Sequence, residues 1–313
     1  MSSSIWPLQL NGSGWGRGEA VTAFPDGSLV TAGLFNGEQE IGAIKLNGGN
    51  TNSLYVAKIN QAGIAAWAIQ FDGDTIDPSV DLVALPDGAV LVAGEFGGEI
   101  AIKNQSLHSE NGSVFVAKLS EKGELAWLRQ VRGSWAGDTR LDFSIAAWED
   151  SSYLISGGDP IQNSMDKMLS KYDADGQLQW TQQIPYHATR TIDLAVLKDG
   201  SSLIVGTFTS SNVPTTFGHI TLQSENSDIY IAKLDEDGNY EWVTKAGGEI
   251  NDVGHAIAVH DDGSMLITGS YGEEALFGSH RLNTTNGTDA RLPETYFQKG
   301  IFAARLNANG HFE

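Results

Sequence analysis

The chain has 313 residues, of which 41% are hydrophobic, enough for a packed core and too many for a disordered tail. Its formal net charge of −20 sets it against phosphate backbones and anionic lipid surfaces, so neither nucleic-acid binding nor membrane-surface binding is expected. Cys is absent, which excludes a disulfide framework, a thiolate zinc site and a cysteine nucleophile, and no run of eighteen apolar residues occurs to span a membrane.

The opening stretch, MSSSIWPLQL, sets Trp6 in a short apolar run with no cap, charge block or signal-peptide pattern before it. A repeat then begins. FPDGSLVTAG (24–33), LPDGAVLVAG (85–94), LKDGSSLIVG (197–206) and HDDGSMLITG (260–269) each join two apolar strands through an Asp-Gly turn, and WEDSSYLISG (148–157) is a worn copy. A second element follows each one: YVAKINQAGIAAW (55–67), FVAKLSEKGELAW (115–127), LSKYDADGQLQW (169–180) and YIAKLDEDGNYEW (230–242). In these the Gly precedes the Trp by four positions: Gly63 and Trp67, Gly123 and Trp127, Gly176 and Trp180, Gly238 and Trp242. The fifth copy, FAARLNANGHFE (302–313), stops where its Trp is due, and Trp6 supplies the missing residue.

Five units of about sixty residues with four short strands each predict an all-β, single-domain, five-bladed β-propeller over residues 1–313. The blades fall at about 14–71, 72–131, 132–184, 185–246 and 247–313, the last completed by residues 3–10. Closing the ring this way removes two exposed sheet edges. The repeat Trp residues are expected to pack between blades rather than to stack a cofactor.

These residues carry a family resemblance. The stretch GTFTSSNVPTTFGHITLQSENSDIYIAKLDEDGNYEW (206–242) resembles the bacterial β-propeller repeat family often called SBBP. The resemblance covers four repeats well and residues 141–180 thinly. It implies a scaffold of the kind found mainly in secreted and cell-surface bacterial proteins, hence an extracellular or cell-surface location. Members are often described with seven blades, whereas this chain counts five. The AKLD…G…W segment also resembles the tryptophan-docking repeat of quinoprotein-type propellers. Their quinone and calcium pocket has no counterpart here, so no cofactor is carried over.

Strand parity puts the Asp-Gly and Asp-x-x-Gly turns on one, lower face. The loops between second and third strands share the upper face with the crossings between units, around a central channel. The crossings differ from one another, and function is most easily written there. They hold Trp15 and Arg17, then Arg132, Trp135, Arg140 and Asp142, then Tyr186, His187, Arg190 and Asp193, and finally Asp252 and His255. Arg17 and Arg190 occupy the same repeat position. Arg forks beside aromatic faces suit a ligand with acidic groups and a ring to stack on; pairing of these Arg with Asp81, Asp142 and Asp193 is the plain alternative. Unit three is short between Gly157 and Lys171, and unit five carries an insertion, TTNGTDARLPETYFQ (284–298), so a notch and a flap are expected on the upper rim.

DADG (173–176) and DEDG (235–238) lack the further acids of a calcium loop, the seven His show no paired spacing for zinc, and neither a metal nor a cofactor is expected. Lys58, Lys118, Lys171, Lys233 and Arg305 recur at one strand position and predict a structural ion pair per unit. The expected function is a non-catalytic, lectin-like binding or interaction module whose partner is a glycan, an anionic small ligand or a protein. Trp15 and Trp135 would stack a ring, Arg17, Arg140 and Arg190 would hold acidic or polar groups, and Tyr186, His187 and His255 would tune specificity. The alternatives are a glycoside hydrolase using Asp81, Asp142 and Asp193 in the central funnel, since two carboxylates flanking a sugar are what that chemistry requires, and a purely structural assembly subunit.

Overall fold

The computed structural model describes residues 10–49, 51–131, 143–158, 167–185, 187–188, 190–210, 213–284 and 300–313. Among them are 25 strands and no helix, and every strand pairing is antiparallel. The pairing follows the sequence repeat. Unit one is a meander of Gly16–Ala23, Leu29–Phe35, Ser53–Ile59 and Ala65–Ala84, and this last strand runs on as the first of unit two, followed by Val90–Ile102, Gln105–Leu119 and Leu125–Val131. Unit three comprises Ile145–Ala147, Tyr153–Gly158, Lys167–Tyr172 and Leu178–Gln183; unit four, Arg190–Val196, Ser202–Thr209, Ser227–Leu234 and Tyr240–Gly247. Unit five shows Val253–Val259, Met265–Tyr271 and Gly300–Leu306, with an isolated bridge from Phe312 to Leu306.

A separate crossing is expected between units one and two, yet Ala65–Ala84 passes straight through. The ladder explains this. Asp72, Gly73 and Thr75 pair with Ala101, Ile100 and Gly97 in the outer half of unit two's hairpin, so the strand never leaves a sheet. Units one, four and five carry comparable hairpins, Glu38–Ile41 with Ile44–Asn47, Thr215–Phe217 with Ile220–Leu222, and Glu274–Phe277 with His280–Asn283.

Apolar alternation along each strand fills the space between consecutive units. Val30, Ala32, Leu54 and Val56 of unit one meet Val90, Val92, Phe115 and Ala117 of unit two. The same positions recur at later boundaries, ending with Leu203, Val205, Ile229 and Ile231 of unit four against Met265, Ile267 and Phe302 of unit five. The repeat Trp residues pack as expected. A Cβ built on Gly123, Gly176, Gly238 or Gly310 would touch Trp67, Trp127, Trp180 or Trp242 of the unit before it. The Trp67 and Trp180 indoles also donate to the Glu121 and Glu236 carbonyls at 2.8 and 2.9 Å.

Two faces break the pattern. Val21 is 67% exposed, whereas Leu82, Ile145, Leu194 and Ile257, which share its register, are no more than 8% exposed. At the other end, Ile301 is 89% exposed while its counterparts Leu54, Val114 and Ile229 are at most 1% exposed. The first face of unit one and the last face of unit five are therefore open to solvent. Trp6 lies outside the described residues, but the strand after it does not. Leu10–Gly12 pairs with unit one's hairpin, Asn11 opposite Glu40. This is the register in which Asp72 meets Ala101 and Gly247 meets Leu276. All three residues stand five positions after a repeat Trp.

Candidate functional site

The inner strands bring three side chains together. Asp81 and Asp193 occupy one register position in units two and four, and Ser144 holds it in unit three. Backbone bulges precede Asp193, Ala20 and Ala256 on these strands, and a bulge re-aims the side chains beside it. Asp81 Oδ2 accepts the backbone N–H of Ile145 at 3.1 Å, and Asp193 Oδ2 accepts that of Ile257 at 2.9 Å. Each Oδ1 accepts the N–H of the next residue, Leu82 or Leu194. The Ser144 hydroxyl lies between the two carboxylates, 3.4 Å from Asp81 Oδ2 and 3.1 Å from Asp193 Oδ1.

Burial raises both carboxyl pKa values above the ordinary range, and the backbone donors oppose that rise. All four carboxylate oxygens thus accept backbone N–H bonds, and two of those four cross from one unit to the next. Ala20 and Ala256 stand at this position in units one and five, so the clasp is confined to the middle of the chain. Asp142 lies outside the described residues. Arg17 does not reach this carboxylate pair: its guanidinium pairs with Glu19.

Trp15 and Arg17 sit side by side at the upper end of unit one. Asn36 fixes the backbone there, its Oδ1 accepting the Trp15 N–H at 3.0 Å and its own N–H reaching the Trp15 carbonyl. Both side chains are exposed, Trp15 at 43%. Arg17 opposes Leu34 and Arg190 opposes Thr207, each just past the repeat Gly, which agrees with their shared position. The Arg190 side chain, Tyr186, Arg132, Trp135 and Arg140 lie outside the described residues, as does the unit-five insertion from 285 onward. His255 is exposed on unit five with Nε2 3.3 Å from Ser270 Oγ. His187 is half-buried and lines a cavity of about 390 Å³ between units three and four. The described candidates thus lie on three separate units.

Three features escape a reading of the sequence. The first is that cavity beside His187. The second is a groove of about 360 Å³ on the lower face between units four and five, floored by Leu203 and Met265 and spanned by the Lys198–Asp261 ion pair at 2.8 Å. The third is a buried pair of acids at the crossing from unit four to unit five. Asp252 accepts the N–H groups of Gly248 and Gly272 at 2.8 and 2.9 Å, and Asp228 lies 2.8 Å from Lys245 Nζ. Burial pushes the Asp252 carboxyl up to about 6 and raises Asp228 as well. No cluster of three or more His, Asp or Glu able to hold a metal occurs among the described residues.

No family model matches the chain. It is similar to regulatory protein FlaEY of Caulobacter vibrioides, with 26% identity over 266 residues covering 80% of this chain and 26% of that protein. The chain therefore spans about a quarter of that relative's length. Among solved structures it aligns with a protein of unknown function from Bacteroides caccae (14% identity, TM-score 0.45, 98% of this chain and 92% of that one). It also aligns with an inactive variant of virginiamycin B lyase from Staphylococcus aureus (11% identity, TM-score 0.31, 98% of both chains).

Proposed function

We propose that this chain is a non-catalytic binding module on a five-bladed propeller of the SBBP kind, with its upper rim as the recognition surface. The observation that carries the binding reading is the exposed Trp15 beside Arg17, held by Asn36. A rigid, exposed aromatic plane suits the ring of a glycan, and Arg17 would exchange its Glu19 partner for an acidic group of the ligand. The name of the longer relative, a regulatory protein, fits a module that recognises rather than reacts. An extracellular or cell-surface location is proposed on the resemblance to the SBBP repeat alone.

The proposed ring closure rests on one observation. Leu10–Gly12 holds the position that a preceding unit's fourth strand holds elsewhere. Against it, Val21 and Ile301 face solvent in this structure, so closure would have to bring together two faces that are here unpacked. Because the chain has no Cys, spin labels on Val21→Cys and Ile301→Cys would report their separation directly. A distance below about 20 Å supports the ring, whereas the span of an open arc refutes it.

A glycan array comparing wild type with a Trp15→Ala/Arg190→Ala variant tests the function. The expected result is binding to an acidic glycan that the variant loses. Equal binding by both proteins, or none by either, ends the lectin reading.

A further inference from the structure

In three places a hairpin is stitched to the strand preceding its unit, through the residue five positions after the repeat Trp: Asn11, Asp72 or Gly247. The hairpin of unit four differs. Thr215–Phe217 and Ile220–Leu222 form a two-stranded sheet of their own. The residue five positions after Trp180 is Pro185, and by register it falls opposite Thr216. Proline has no N–H to give to a ladder. The seam stays open here, as the cavity of about 390 Å³ walled by Gln182, Gln183, Pro185 and His187 on one side and by Thr215 and Thr216 on the other.

Hairpin geometry fixes what faces that space. Phe217 and Ile220 flank the two-residue turn and exchange both hydrogen bonds, so Thr216 turns its own N–H and C=O to the opposite side, into the seam. Among the described residues neither group meets a partner. The buried hydroxyl of Thr215 also lacks one. With His neutral, none of the described residues lining the cavity is charged, in a chain of net charge −20.

We propose that this seam receives an extended, uncharged peptide segment of a partner protein, which adds to the Thr216 edge as a strand. The three equivalent seams show the chemistry the position accepts, a β-strand backbone, and the volume lies in the range of ligand-sized pockets. The described wall offers no counter-ion to a charged side chain, which favours an uncharged segment. The site is on the outer rim between units three and four, and it depends neither on Trp15 and Arg17 nor on closure of the ring.

Selection of displayed random heptapeptides on the full chain, with depletion on Thr216→Pro, tests the proposal. Enriched peptides should be poor in charged residues and bind Thr216→Pro at least tenfold more weakly. Thr216→Ala keeps the backbone groups and should bind within twofold of wild type. Bound peptide should slow hydrogen exchange of the Thr216 amide at least tenfold. Pro185→Ala restores the missing N–H, so the seam should close on itself, with a melting temperature no lower than wild type and at least a tenfold loss of binding. Should Thr216→Pro fail to fold, Pro185→Ala replaces it in the depletion. The proposal is overturned when no peptide is enriched over the depleted pool, or when enriched peptides bind the depletion variant within twofold of wild type. A negative glycan array leaves it standing.

Discussion

The carboxylate of Asp193 in unit four accepts the backbone N–H of Ile257 in unit five at 2.9 Å, and Asp81 does the same for Ile145 one boundary earlier, at 3.1 Å. Removing either acid leaves a backbone donor without its acceptor. Asp193→Ala should cost about 2 kcal/mol of unfolding free energy, and Asp193→Asn, which keeps one acceptor oxygen, about half of that. Because Ser144 touches both carboxylates, the Asp81→Ala/Asp193→Ala double variant should depart from additivity. Urea titrations of wild type, both single Ala variants, Asp193→Asn and the double variant measure this, and unchanged midpoints would show that the clasp contributes nothing to stability.

Asp252 makes stability depend on pH with a defined sign. Its carboxyl is pushed up to about 6 in the folded chain, from an ordinary value near 3.8. Between those values the folded state keeps a proton that the unfolded state has lost, so its contribution to stability falls as pH rises from about 4 to 6. A shift of this size corresponds to about 3 kcal/mol once both states are ionised. Asp252→Asn removes the titration. The stability difference between variant and wild type should therefore move in the variant's favour by about that amount from pH 4 to pH 7. A flat difference across urea titrations at pH 4, 5, 6 and 7 would show that Asp252 titrates normally.

Gly238 has φ +87°, and a Cβ built on it would lie 2.9 Å from the ring of Trp180. Gly238→Ala combines left-handed backbone strain with a clash against a packed indole, and the expected loss is about 2–3 kcal/mol. Gly310→Ala meets Trp242 at 2.7 Å and should lose a similar amount. Gly49, also at positive φ but with nothing within 4 Å of its Cβ position, supplies the control. Its Ala variant should cost only the strain, about 1 kcal/mol.

Ser151 has φ +66° in the turn where the other four repeats place Gly27, Gly88, Gly200 and Gly263. It is the point at which the third copy is worn. Ser151→Gly should raise stability by about 1 kcal/mol, since relief of the left-handed strain outweighs the added freedom of the unfolded chain. A lower melting temperature would mean that the Ser151 side chain contributes more than its backbone conformation costs.

The repeat and its strands were legible because they depend on local chemistry: an Asp-Gly turn, period-two alternation, and a Trp seated at fixed distance from a Gly. The recurring cation was legible only in part. Lys118, Lys233 and Arg305 lie 3.7, 3.0 and 3.3 Å from Asp87, Glu241 and Glu313. Lys58 and Lys171 instead sit over the rings of Phe24 and Trp148, because only those two turns begin with an aromatic residue. The clasp carboxylates were visible as a repeated position, but their partners lie across unit boundaries, and that depends on register. Pro185 stood in plain view in the sequence. Its consequence emerges only when the three intact seams show which ladder bond it removes.

The order of packing gives the molecule a direction. Among the described residues, the indoles of units one to four are each seated by a turn of the unit that follows. Opening the chain between units one and two would cut the continuous strand Ala65–Ala84 that carries the latch residue Trp67. A break within an Asp-Gly turn spares every such latch. Permuted versions of this protein opened at residues 26–27 or 199–200 should therefore tolerate the new termini better than versions opened between units.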